Sequence, residues 1–180
     1  LYQLSMRFSS KSNIVLIGMA GAGKSSVGAE LSRLLDLAFV DVDTLIEKDQ
    51  GLPLQQVLAR LGLRGFRAVE EKILLSLECR DHVIATGGSA IYSRIGMEHL
   101  KQSGTLVFLD VPLSLLEERV GDFGERGLVK EQGQSFAQLF RERLPLYREQ
   151  ADLVVPCSGR SVSEICQSLC HWWRTEDHPA

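Results

Sequence analysis

The sequence predicts an α/β fold in three layers, with helices covering both faces of a five-stranded parallel sheet. Three observations carry this expectation. Short β-rich runs alternate with segments of helical spacing along the chain. The runs Asn13–Ile17, His82–Thr86 and Thr105–Asp110 are nearly all apolar, as strands buried on both faces must be. No internal repeat or linker divides the chain, so residues 1–180 read as one domain.

The elements follow in order. Asn13–Ile17 is the first strand; it runs into a glycine-rich loop, and Lys24–Leu35 then has helical spacing. Ala38–Val42 is a second short strand, after which a helix begins at Thr44. Leu54–Leu61 and Phe66–Leu77 read as helices, the latter with Phe66, Val69, Ile73, Leu74 and Leu77 on one face. His82–Thr86 is a third strand, ended by Gly87-Gly88. Thr105–Asp110 is a fourth, and Pro112 opens the next helix where a missing N–H is tolerated. The stretch 121–134, rich in glycine and charge and without apolar periodicity, reads as a mobile loop. Phe136–Tyr147 returns to helix, Leu153–Val155 is a final strand, and Ser161–Trp173 closes the chain. Residues 1–12 are polar and mixed, and read as disordered or as not native to the chain, with Met6 a candidate start.

Composition narrows the function classes. A hydrophobic content of 44% and a charged content of 24% are those of an ordinary globular domain. A net charge of −3 gives no general attraction to nucleic acid. No apolar run has the length of a membrane span or of a secretory leader, so a cytoplasmic protein without nucleic-acid or membrane partners is expected. Four scattered cysteines do not make a disulfide framework. Cys166 and Cys170, followed by His171, could suggest a metal. The better account puts Cys166 on an apolar helical stripe with Val162, Ile165, Leu169 and Trp173, where a buried thiol acts as a small hydrophobe.

The strongest chemical signal is Gly18-Met19-Ala20-Gly21-Ala22-Gly23-Lys24-Ser25, a full match to G-x-x-x-x-G-K-S/T between an apolar strand and an amphipathic helix. In such a loop the backbone N–H groups of Gly21, Ala22 and Gly23, continuing through Lys24 to Ser26, turn inward around phosphate oxygens at a helix N-terminus. Lys24 reaches the β- and γ-phosphates, and the Ser25 hydroxyl is placed for Mg²⁺. A ligand-free glycine turn is the bland alternative.

Asp41 and Asp43, two residues apart at the end of the second strand, are expected to point to one side of the sheet edge. One carboxylate could hold Mg²⁺ and the other deprotonate an attacking hydroxyl, or Asp43 could simply cap the helix at Thr44. Arg67 is either an i,i+4 partner of Glu71 or an anion ligand. Arg126, inside the 121–134 loop, is either solvated or closes over a nucleotide. Arg143 lies on a charged helical face with Arg141 and Glu142, where solvation is the ordinary outcome. Thr86-Gly87-Gly88 would let backbone approach a substrate anion closely.

This ordered set resembles the shikimate kinase family from about Asn13 to Trp173. The motifs are the phosphate loop Gly18–Ser25, Phe39-Val40-Asp41-Val42-Asp43, Phe66-Arg67-Ala68-Val69-Glu70, Thr86-Gly87-Gly88-Ser89, and Arg143-Leu144-Pro145-Leu146-Tyr147-Arg148. The resemblance implies a nucleoside-monophosphate-kinase-like sheet with a lid, a monomer, and ATP with Mg²⁺ in the chorismate route to aromatic amino acids. It implies that Lys24 and Ser25 meet phosphates and Mg²⁺, with Asp41 helping the metal. Asp43 would grip the substrate hydroxyls and serve as base. Arg67, Arg143 and the Gly88 backbone would hold a small hydroxylated acid, Arg126 would cover the ATP phosphates, and Arg160 would lie near adenine.

Three positions depart from the family pattern. Ser89 replaces a third glycine, Leu63 an acid before Phe66-Arg67, and Gly127-Leu128-Val129 the usual Pro-Leu-Leu after the lid arginine. Ser89 and Leu63 border the acceptor side. They keep open a related kinase acting on homoserine or gluconate, and less strongly a non-catalytic nucleotide-binding relative.

Overall fold

The computed structural model describes residues 11–123 and 128–175; of Val120, Asp122 and Phe123 it describes the backbone alone. The elements are β1 (Asn13–Ile17), α1 (Lys24–Leu35), β2 (Ala38–Asp41), α2 (Val42–Gln50), α3 (Leu54–Leu75), β3 (His82–Ala85), α4 (Arg94–Ser103), β4 (Gly104–Asp110), α5 (Leu113–Phe123), α6 (Phe136–Gln150), β5 (Leu153–Pro156) and α7 (Val162–Thr175). A short 3₁₀ turn, Ala90–Tyr92, precedes α4. Among the described residues no helix is long and apolar enough to cross a membrane.

The five strands form one parallel sheet in the order β2-β3-β1-β4-β5. β1 lies at its centre and is buried along its whole length, and Leu106–Leu109 of β4 are buried beside it. Helices on both faces make the continuous apolar runs possible. The chain leaves β1 for the β2–β3 side and later returns to the β4–β5 side. The strand order therefore reverses beside β1, and parallel sheets open a ligand crevice at such a point. The loop 18–23, Asp41, Thr86–Gly88 and Asp110 all lie at or just beyond the C-terminal ends of strands and share this edge.

The structure revises several sequence expectations. β2 ends at Asp41, not Val42, and the next helix begins at Val42, so Asp43 sits in a helical first turn instead of a strand. The cap is Asp41: its Oδ1 accepts the backbone N–H of Asp43 at 3.0 Å and of Thr44 at 3.4 Å. The two expected helices around Gly62 form one element broken by that residue, whose φ of 64° and ψ of 179° no helix accommodates. Helix α4 is absent from the sequence reading, although Ser93 caps it through Gly96 N (3.0 Å) and Met97 and Leu100 share its buried face. The stretch 121–134 is not loop throughout. Residues 121–123 finish α5, and Leu128 and Val129 are buried. Order also begins before β1, because Ser12 N donates to Ser103 O at 3.0 Å. Cys166 is buried in α7 with its thiol toward Val27 O, whereas Val162 of the same stripe is exposed.

Candidate active site

The loop after β1 takes the conformation its glycines permit. Gly21 and Gly23 have φ of 80° and 89°, left-handed values that strain any other residue. Gly23 leads directly into α1, so its backbone turn aims the first N–H groups of the helix at the crevice. Lys24 is buried and folds back over the loop, donating to Gly18 O (2.8 Å) and Met19 O (2.7 Å). Burial lowers its pKa to about 8, against the attraction of Asp43 and with added repulsion from Arg143.

A cleft of about 530 Å³ opens beside this loop. It joins Gly21, Gly23, Lys24, Ser25 and Ser26 on one wall to Asp43, Gly88, Ser89, Leu128, Val129 and Arg143 on the other. Burial raises the Asp43 pKa to about 6, partly offset by Lys24 and reinforced by Asp41 and Glu47. Asp41 is engaged by the loop: Ser25 Oγ donates to its Oδ2 at 2.6 Å. The two carboxylates thus take different partners, Asp41 the Ser25 hydroxyl on the cleft wall and Asp43 the cleft itself.

Across Gly87 lies Glu70, buried in α3, to which Ser89 Oγ donates. A β-carbon on Gly87 would stand 2.4 Å from Glu70 Oε1 and 2.8 Å from Asp43 Oδ1, so any larger residue there would displace one or both acid side chains. Burial pushes Glu70 up to about 7, with the Ser89 bond and the charges of Arg143 and Arg67 acting the other way and Asp43 adding to the rise. Among the described residues, Glu70 Oε1 and Arg67 Nε are the buried side-chain N and O atoms without a hydrogen-bond partner. Sequence reading quoted Glu70 within a motif but assigned it no role; its burial in the middle of a helix facing Gly87 is not a local property.

Arg143 is not on a solvated face. It is 1% exposed, and it donates through Nη2 to Val129 O and through Nε to Tyr92 Oη at 3.3 Å. Tyr147, one turn later on α6, donates to Gly88 O at 2.6 Å and stacks on Phe108 with ring centroids 5.2 Å apart. That pair fixes the backbone of Gly88 against the sheet. Arg67 lies outside the main cleft, in an adjoining recess of about 170 Å³ that also includes Glu70, Ser89 and Tyr92. Its guanidinium stacks over the Tyr92 ring, and the expected partner Glu71 instead accepts from Ser93 Oγ at 2.6 Å.

On the opposite side of the loop, a cavity of about 400 Å³ is lined by Gly21, Ala22, Gly23, Ser26, Arg119 and Arg160 among others. Arg160 is there, tied to Pro156 O (3.1 Å) and Glu164 O (2.8 Å). Arg119, which the sequence reading missed, donates to Gly21 O at 3.0 Å. A lone basic residue on a helix carries no sequence signal for that contact. Arg126 falls outside the described residues.

The oxygen set of Ser25 and Asp41 suits a hard divalent cation such as Mg²⁺, which prefers hydroxyl, carboxylate and water oxygens. Among the described residues no group of three or more His, Cys, Asp or Glu side chains could hold a metal by itself.

A phosphate-wrapping loop at the switch point of a parallel sheet, opening onto a second wall of acid, arginine and glycine backbone, defines a P-loop kinase of the small-molecule class. Its sequence matches the family model described as shikimate kinase over residues 20–174. It is 38% identical to the shikimate kinase of Nitrosospira multiformis over 160 residues, covering 87% of this chain and 82% of that one. It is 34% identical to that of Persephonella marina, with 87% and 96% covered. The structure of shikimate kinase from Acinetobacter baumannii in complex with shikimate superposes with a TM-score of 0.85 at 32% identity, over 94% of this chain and 96% of that one. The chain belongs to the shikimate kinase family.

Proposed function

We propose that the protein is a shikimate kinase, transferring the γ-phosphoryl group of ATP to the 3-hydroxyl of shikimate. The observation that carries this reading is the cleft itself, in which the phosphate loop and Lys24 face Asp43, Gly88 and Arg143. The Acinetobacter baumannii relative, similar over nearly the whole chain, is one whose structure holds shikimate.

The chemistry follows from the positions. The loop N–H groups of residues 21–26 take the ATP phosphates, and Arg119 and Arg160 flank the cavity on the base side. Arg126 is assigned to the phosphates from the family motif. Ser25 and Asp41 would hold Mg²⁺, which when bound supplies positive charge to the phosphate oxygens. Arg143 and Arg67 bind the acceptor carboxylate, and Gly88 lies beside it. Asp43 grips the acceptor hydroxyls and takes the proton as the hydroxyl oxygen bonds to the γ-phosphorus. The bond from that phosphorus to the bridging oxygen breaks, and ADP leaves with the electron pair. Lys24 neutralises charge on the transferring group, and positioning in the cleft supplies much of the remaining acceleration. A monomer is expected, and the reaction calls for neither nucleic acid nor a membrane. A small soluble metabolite as acceptor favours the cytoplasm.

The decisive experiment is ATP turnover, coupled to ADP release, with shikimate, homoserine and gluconate in parallel. Shikimate is expected to be the acceptor. Turnover with homoserine or gluconate alone would reassign the substrate, and Ser89, whose side chain borders the cleft, is then the first residue to suspect.

The pH profile gives a separate check. For free enzyme, kcat/KM for ATP should rise as Asp43 loses its proton near pH 6 and fall as Lys24 loses its own near pH 8. Bound phosphates stabilise the ammonium, so the alkaline limb of kcat should lie higher than that of kcat/KM. A profile flat from pH 5 to 9 would remove both assignments.

A further inference from the structure

We propose that Tyr92 is a positioning residue for acceptor binding, its ring and hydroxyl together orienting Arg67 and Arg143 toward the acceptor carboxylate. The proposal rests on the acceptor reading above and adds to it a residue with no assigned role.

Two guanidinium groups face one ring. Arg67 Cζ stands 3.9 Å from the Tyr92 ring centroid and Arg143 Cζ 5.1 Å from it. A cation over an aromatic face is attracted by the ring's negative quadrupole, the more so where water is excluded. Arg67 Nε is buried without a hydrogen-bond partner among the described residues, so hydrogen bonding at that nitrogen does not set its pose. The guanidinium rests instead on the aromatic face.

The hydroxyl completes the arrangement. It accepts from Arg143 Nε at 3.3 Å and donates to Glu142 Oε1, using both of its hydrogen-bonding capacities. Glu142 is held as a carboxylate: the Tyr92 bond first, then Gln134, Arg143 and Arg67, keep it below the usual range. It acts as the counter-charge that lets two arginines sit side by side. Glu142 Oε2 in turn accepts from Gln134 Nε2 at 2.7 Å, and Gln134 Oε1 accepts from Glu131 N at 3.1 Å. Tyr92 therefore joins both arginines to the segment 128–134, whose Val129 carbonyl is already an Arg143 partner.

The position of Tyr92 follows from the local fold. The 3₁₀ turn Ala90–Tyr92 begins directly after the Gly87–Ser89 turn, with Tyr92 N donating to Ser89 O at 3.0 Å. Ser93 then caps α4 and donates to Glu71. The ring is thus clamped between a turn of the acceptor cleft and a helix start.

Two substitutions separate the ring from the hydroxyl. Tyr92→Phe keeps the aromatic face and loses the links to Arg143 and Glu142; Tyr92→Leu loses both. Initial-rate kinetics and calorimetric titration with shikimate should show KM and Kd for shikimate raised about 10-fold in Tyr92→Leu and about 3-fold in Tyr92→Phe, the sizes expected when cation–π contacts and then a hydrogen bond are lost. KM for ATP should stay within 2-fold of the parent, a roughly unchanged value in free-energy terms. Unchanged shikimate affinity in both variants overturns the proposal. So does a loss that falls equally on ATP and shikimate, the mark of a purely structural role. If Tyr92→Leu does not fold, as judged by thermal melting, Tyr92→Phe decides alone. A parent enzyme that neither binds nor phosphorylates shikimate sinks the acceptor reading itself, and this proposal with it; a shikimate-active parent with indifferent variants sinks only this proposal.

Discussion

Asp43→Asn is expected to abolish turnover and at the same time to make the protein more stable. The amide keeps the shape of the side chain but cannot accept the proton of an attacking hydroxyl, and loss of a positioned base costs about 10²–10⁴ in rate. The stability gain has a separate cause. The carboxyl pKa rises from 3.8 to about 6 on folding, so the native state prefers the protonated form and is destabilised by ionisation at neutral pH. A raised acid pKa means that the folded state binds more protons between those two values. Stability from this group is therefore present below pH 3.8 and lost as the pH climbs through about 6. A tenfold change in proton affinity is worth about 1.4 kcal/mol, so removing the charge should add on the order of 1–3 kcal/mol at pH 7, and little near pH 4. Thermal melts of parent and variant at the two pH values, beside kcat, measure both effects. A variant with parental kcat places the base elsewhere, and one that melts lower at pH 7 shows the carboxylate supporting the fold.

Lys24→Ala carries the other large effect. The ammonium is buried and donates to Gly18 O and Met19 O across the loop, within reach of the cleft that also holds Asp43. Removing a preorganised charge of this kind from the transition state costs at least about 10²–10³ in kcat. Nucleotide affinity should fall with it, because the proposed role of the same group is to meet the β- and γ-phosphates. The fold should survive: α1 is held by Val27 and Leu31, both buried, and by Val27 N donating to Gly23 O at 2.8 Å. Far-UV circular dichroism, ATP titration and turnover separate these claims. Lys24→Arg is not expected to rescue activity, since a planar guanidinium does not reproduce a compact ammonium in a packed loop. Parental turnover in the alanine variant would remove the phosphate loop from the mechanism.

Much of the site was legible in the chain because it is encoded locally. The phosphate loop needs glycines at positive φ between a strand and a helix, and both the residues and their neighbours are adjacent in sequence. The alternation of apolar runs with helical spacing likewise carried the parallel sheet. Boundaries were less secure where two residues compete for one role. Asp41 and Asp43 both suit a helix cap, and spacing cannot say which will take it; β2 had to pair with β3 before Asp41 became the cap and Asp43 the cleft group.

Other features depend on contacts between distant segments. Leu63, which supplies no acid next to the arginines, leaves open what orients them; the answer comes from Tyr92 and Glu142, which are on a turn and a helix far along the chain. The burial of Arg143 could not be read from Arg141-Glu142-Arg143, since it follows from α6 packing beside the 3₁₀ turn and Val129. Glu70 became a cleft-side acid only when Gly87 came against it. Helix α4 was missed although its local signals, the Ser93 cap and the buried pair Met97 and Leu100, were present in the chain.

The amino-acid sequence alone determined the phosphate loop, the strand and helix alternation and the chemical types gathered around an acceptor, because each is written in residues a few positions apart. Only the tertiary structure decided which carboxylate faces the cleft, which arginine is buried and what holds the pair. Those outcomes depend on desolvation and on which distant side chains meet, and both are set by how the sheet brings its strand ends together.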